Sequence, residues 1–152
     1  SVKSRGLGDV YKRQLFDIGQ TSPKQDVAWM KSFMSIKDQL DYKFIFCLEG
    51  KCISTNLYWA MSSNSVCVMP KPKYESWFME GKLEDGVHYI EVKDDFSDAQ
   101  EKIEFYNNNN DKCLEIIQNA QKFVKQFKNA KQERLIQLLI LKQYFQSTGQ
   151  NG

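Results

Sequence analysis

The sequence lacks most of the features that would assign it quickly. It has one histidine, and none of its four cysteines stands in C-x-x-C or any other metal-ligand spacing with another. Cys47 and Cys67 lie in apolar, strand-like runs, Cys113 lies in a helical pattern, and Cys52 follows a glycine turn. That usage speaks against a zinc site and fits free thiols in a reducing compartment. An excess of one charge is missing too. The 21 basic and 19 acidic residues leave a net +2, without the basic surplus of a nucleic-acid binder. No apolar run approaches the roughly 20 residues that a bilayer-crossing helix needs, and no stretch reads as a signal peptide. What is present is 152 residues, 41% of them apolar, enough for one domain with a real core.

Residues 1–14 stand apart. Asp9-Val10-Tyr11-Lys12-Arg13-Gln14 is what the codons GAT-GTG-TAT-AAG-AGA-CAG encode, and that DNA matches the end of a common sequencing-library transposon. The segment is therefore expected to be adapter-derived, with natural sequence missing upstream of Leu15. It holds Lys3, Arg5, Lys12 and Arg13 against Asp9, so without it the formal charge moves from +2 to −1.

Downstream, the patterns alternate. Ser22-Pro23 reads as a capped helix start, and Val27, Met30, Phe33 and Met34 carry that helix to about Leu40. Residues 43–49 form an apolar run that ends at Gly50 and suits a strand buried on both faces. Helix is expected from Ser54 to about Ser63, strand over 65–69 up to Pro70-Lys71-Pro72, a helical turn at Trp77-Phe78-Met79, and strand over 87–92. Ser97 and Gln100 read as a capping box opening a helix. Asn107 to Asn110 reads as a loop and Asp111 as the cap of a helix whose one face carries Cys113, Ile116, Ile117, Ala120, Phe123, Val124 and Phe127. A last helix covers about Ala130 to Phe145, followed by a frayed tail from Thr148. Strand and helix alternate three times, which predicts an open parallel sheet with helices on both faces: a Rossmann-like α/β fold.

Ligands of such sheets bind beyond the carboxyl ends of the strands. The first strand delivers Glu49 and Gly50 there, and the chain enters the next helix through Lys51, Cys52, Ile53, Ser54, Thr55 and Asn56. Gly50 allows close backbone approach. A helix start offers amides and a positive dipole end to a pyrophosphate, Lys51 a charge, and Ser54 and Thr55 hydroxyls. Glu49 offers acceptors for sugar hydroxyls. A plain βα turn, with Ser54 capping its helix and Glu49 in water, explains the same residues.

Phe44 to Ser65, Met69-Pro70-Lys71-Pro72, Trp77-Phe78-Met79-Glu80-Gly81, His88-Tyr89 and Asp95-Phe96-Ser97-Asp98 resemble, in order and spacing, glycosyltransferase family 90. That family holds bacterial lipopolysaccharide glycosyltransferases, fungal capsule-associated xylosyltransferases and animal protein O-glucosyltransferases. The likeness spans about Leu15 to Phe127 and is closest to bacterial members. It implies the C-terminal, donor-binding half of a two-domain GT-B enzyme. Residues 15–128 would form the nucleotide-sugar domain, and residues 129–152 an added helix and tail. Lys51 to Asn56 map onto the family's contacts with the UDP of the donor. The family's catalytic aspartate lies in the N-terminal half, so no residue of this chain inherits it. Two positions depart from the pattern: Asn56 stands where animal members carry arginine, and Cys52 where bacterial relatives tend to carry aspartate.

The resemblance thus implies transfer of a sugar from a nucleotide donor to a glycan or lipid-linked glycan such as lipopolysaccharide. It also implies an upstream half as partner; no motif demands a resident cofactor or metal, and the expected setting is cytoplasmic, with or without peripheral contact at the inner membrane. His88 and Trp77 are secondary candidates, His88 read chiefly as structural and Trp77 as a stacking or packing residue. Asp94-Asp95 reads as a solvated loop. The ladder Lys122, Lys125, Lys128, Lys131 and Arg134 suits a solvated face or a membrane surface. A receiver-type signalling module is disfavoured, because the strand ends offer only Glu49 and Pro70. A membrane- or partner-docking module remains the alternative from another class. Leu135, Ile136, Leu138, Leu139, Ile140 and Leu141 form a band wider than one core-facing stripe, so part of it is expected to be exposed.

Overall fold

The computed structural model describes Asp17 and residues 32–150. Its strands are β1 (Phe44–Phe46), β2 (Val66–Met69) and β3 (Ile90–Glu91). They pair in parallel in the order β1-β2-β3, with Phe44 opposite Val66 and Val68 opposite Ile90. Parallel neighbours require crossover connections, and the helices supply the covering layers. These are α1 (Ile36–Gln39), α2 (Leu57–Met61), α3 (Ala99–Asn107), α4 (Asn110–Lys125) and α5 (Ala130–Thr148).

All four residues of central β2 are buried, and their side chains alternate between two cores. Cys67 and Met69 join Ile45, Cys47 and Tyr89 on one face, under Leu57, Ala60 and Met61 of α2 and Ala120 and Val124 of α4. Val66 and Val68 join Ile90 and Val92 on the other, under Ala99 of α3 and Cys113 and Ile116 of α4. Helices therefore cover both faces, as the alternation of patterns predicts, and the α/β class holds. Each fully buried Val, Ile or Met contributes roughly 1.5–3 kcal/mol by leaving water. The four cysteines are free. A hydrogen bond with Cys67 and deep burial push the Cys47 thiol up, which keeps it unreactive.

One helix serves both cores. Gln121 of α4 donates to the Ser63 carbonyl (2.8 Å) just ahead of β2. Lys43, just ahead of β1, donates to the Asn110 side chain (2.6 Å) at the start of α4. α4 thus lies along the amino ends of the strands and leaves their carboxyl ends open.

Several elements are shorter than their patterns. Within the described part of the expected 22–40 helix, residues 32–35 are not helical and only α1 forms; Ser22 to Lys31 lie outside the described residues. Ser35 caps α1 by accepting from the Asp38 amide. β1 stops at Phe46 and residues 47–49 have no regular structure, although the Cys47 amide still reaches the Val68 carbonyl (3.0 Å). Val87 and His88 belong to a turn rather than to β3, because both amides bond back to the Glu84 carbonyl and Gly86 adopts φ +70°. The Ser97 capping box does not form. Asp95 takes the Ser97 amide, Asp98 takes the Lys93 amide, and α3 starts at Ala99. The asparagine loop shrinks to Asn108 and Asn109, since α3 runs through Asn107 and Asn109, not Asp111, precedes α4. α5 outlasts its expected end: it runs to Thr148 and is stopped by Gly149 at φ +69°. None of its residues is buried, and the six anticipated apolar side chains are 41–63% exposed.

Candidate functional site

At the carboxyl ends of the strands lies a cleft of about 310 Å³. Cys47 to Gly50 line it from β1, Met69 to Tyr74 from β2, and Asp94 and Phe96 from beyond β3, with Ser54, Leu57 and Glu80 completing the walls. The β2 wall is set by sequence. Pro70 and Pro72 have no N–H to give a ladder, so pairing ends and the chain turns along the cleft as a strap.

The polar groups of this cleft hold one another in place. The Glu49 carboxylate accepts from the Lys73 amide (3.1 and 3.2 Å to its two oxygens) and from the Tyr74 amide (3.2 Å). The Lys73 ammonium reaches Asp94 at 2.9 Å, and this hydrogen bond holds its pKa above the usual lysine value. Both partners are well exposed, so the pair adds little stability. Glu80 is buried, its carboxylate accepting from the Ser76 amide (2.7 Å) and hydroxyl (2.8 Å). These donors offset the cost of burying that carboxylate.

Of the residues anticipated from sequence, Glu49, Gly50 and Ser54 line the cleft. Lys51, Cys52 and Thr55 are exposed, and Ile53 is half-buried; none of the four is among the lining residues. Asn56 is turned inward, donating to the Phe46 carbonyl (2.9 Å) and accepting from the Ser54 hydroxyl (2.6 Å). Ser54 therefore fastens a turn instead of capping a helix, and α2 begins only at Leu57 and spans five residues. So short a helix offers little of the dipole anticipated there. Gly50 does not have positive φ, and a Cβ there would meet nothing within 4 Å. Its value is open space.

His88 lies before β3, at the opposite end of the strand from the cleft. Its Nδ1 accepts from the Glu84 amide (3.1 Å) and its ring packs on Phe123. Trp77 is 63% exposed and packs against Tyr58, Phe78 and Phe127, apart from the cleft lining. Lys73 and Tyr74 are cleft residues that the sequence does not single out, Lys71 and Glu80 stand out only within the family-like motifs, and Asp94, expected in a solvated loop, lines the cleft. The Pro-Lys-Pro-Lys run directly after the second strand was the available signal for the lysines. Outside its motif Glu80 gives none. Among the described residues, no group of three or more His, Cys, Asp or Glu is arranged to hold a metal ion, and no helix is long and apolar enough to cross a membrane.

The profile of glycosyl transferase family 90 matches residues 9–146. The chain is 42% identical over 142 residues to the O-glucosyltransferase LpsA of Dichelobacter nodosus, a match covering 93% of this chain and 45% of that protein. It is also 32% identical over 117 residues to uncharacterized protein 179R of Invertebrate iridescent virus 6, covering 72% of this chain and 9% of that protein. The chain thus spans less than half the length of either relative.

Proposed function

Because the chain belongs to glycosyltransferase family 90, we propose that its cleft binds the nucleotide diphosphate of a sugar donor, a UDP-sugar. The parent protein would move that sugar to a hydroxyl of a cell-surface glycan such as lipopolysaccharide. One observation carries this reading: an open cleft at the carboxyl ends of a parallel sheet, with Lys71 and Lys73 on its β2 wall and open space at Gly50. Sheets of this class place ligands at that position, and lysines there would neutralise the departing diphosphate. Gly50 and Ser54 stay in the proposed donor set, and Glu49 stays at the site as a residue of the cleft wall. Lys51, Cys52, Ile53, Thr55 and Asn56 form its outer turn. The general base that deprotonates the acceptor belongs, in this reading, to an upstream half that together with this one makes a GT-B enzyme. The D. nodosus relative's name, an O-glucosyltransferase, favours a hexose as the sugar.

The uncovered α5 favours a second role for the C-terminal helices, docking. Its apolar residues encircle the helix, whereas a helix lying in a membrane interface is apolar on one side. Cover by the upstream half therefore fits better than peripheral contact with the inner membrane. Liposome sedimentation separates the two: pelleting with anionic vesicles would favour the membrane.

The donor reading is tested by titrating UDP into isotope-labelled protein. Amide signals of Gly50 to Asn56 and of Lys71, Lys73 and Tyr74 should move, and those of Asn107 to Asn109 should not. Equal or absent perturbation at millimolar UDP would remove the assignment.

A further inference from the structure

The strap from Pro70 to Tyr74 has no ladder of its own to fix it. Two of its five residues are prolines without an N–H, and the next two amides along the chain, Lys73 and Tyr74, both donate to a single carboxylate 24 and 25 residues earlier, that of Glu49. Glu49 sits on the segment leaving β1, across the cleft floor from the strap, and both line the same cavity. An ionised carboxylate spanning consecutive amides makes charge-assisted bonds, stronger and more directional than neutral ones. The two lysines of the cleft wall are carried by this strap, and one of the bonded amides is that of Lys73 itself.

We infer that Glu49 is a positioning residue: it fixes the strap that carries Lys71 and Lys73, the latter's ammonium held by Asp94 at 2.9 Å in the same cleft, beside the phosphates of the donor. This rests on the donor reading above and assigns its phosphate contacts to the strap rather than to the turn after Gly50. Two strap amides, that of Lys73 shared between both oxygens, already occupy the Glu49 carboxylate, which argues for a strut. Replacing it with glutamine keeps its size and one carbonyl oxygen that can take both amides, but removes the charge that strengthens those bonds. The strap is then held less firmly on the cleft.

The test compares UDP with uridine, which has the base and ribose but no phosphate, by calorimetry on the whole chain. Glu49→Gln should weaken UDP binding roughly tenfold, about the worth of one charge-assisted contact to phosphate, and leave uridine binding within about twofold. In a Lys71→Ala/Lys73→Ala background the same change should cause no further loss, because the groups it positions are gone. Unchanged UDP affinity in Glu49→Gln, or equal weakening of UDP and uridine, overturns the inference and leaves the donor reading intact. If Glu49→Gln does not fold, the lysine pair decides: full UDP affinity in Lys71→Ala/Lys73→Ala overturns it as well. Failure of the unmodified chain to bind either ligand overturns the donor reading and this inference with it.

Discussion

Protonating His88 costs the fold a hydrogen bond, because its Nδ1 is the acceptor for the Glu84 amide. Partial burial also disfavours the charged ring, so its pKa lies below the ordinary value of 6.5. The unfolded chain therefore takes up the proton first as pH falls. The stabilisation is full above about pH 6.5 and is lost as pH drops through the lower, folded value. His88→Phe keeps a ring against Phe123 but cannot titrate. Between pH 7 and pH 5 the melting temperature of the unmodified protein should fall more than that of the variant; parallel falls would show that His88 does not contribute. The sequence marked His88 as structural without revealing its partner, since the bond depends on a turn that only the folded backbone defines. Glu49 and Asn56 teach the same lesson. Both stood out as polar residues after a strand, but each bonds backbone groups distant in sequence, up to 25 residues away for Glu49 and 10 for Asn56. Composition and spacing cannot show which amides or carbonyls will pass by.

Apolar runs announced all three strands and Pro70 the end of β2, yet not the limits of the other two. β1 stops at Phe46, and β3 cannot begin until the left-handed turn at Gly86 has closed. Such stops are backbone events that a hydrophobic pattern does not record. Helix faces were more legible: of the seven apolar positions expected on one face, Cys113, Ile116, Ala120 and Val124 are buried in α4, while Ile117, Phe123 and, just past the helix, Phe127 are half-buried. α5 was legible for the opposite reason, having more apolar residues than one face can hold. Because Leu138 and Ile140 are 55% and 63% exposed, Leu138→Gln/Ile140→Gln should change unfolding free energy by less than about 0.5 kcal/mol. The same change should reduce self-association in sedimentation velocity, since contiguous exposed apolar surface promotes it. A loss above about 1 kcal/mol would mean that α5 finds cover within its own chain.

For the whole molecule, the boundary at residue 14 is open to direct test. The family match begins at residue 9, inside the segment read as adapter, so two truncations are informative. Removing residues 1–8 and removing residues 1–14 should both leave the urea midpoint unchanged. A loss of more than about 1 kcal/mol, typical of one damaging point change, would assign the removed residues to the fold. The class of the fold was legible because alternation of strand and helix is a global pattern. The joint role of α4 was not, because it depends on where distant parts meet. Lys43 reaches Asn110 over 67 residues and Gln121 reaches Ser63 over 58. A sheet of three short strands cannot close either core before that helix arrives. During synthesis the nascent chain must therefore wait, with β1 to β3 already made but neither core closed, until residues 110–125 clear the ribosome. In that interval it presents the uncovered apolar faces of its strands to any chaperone within reach.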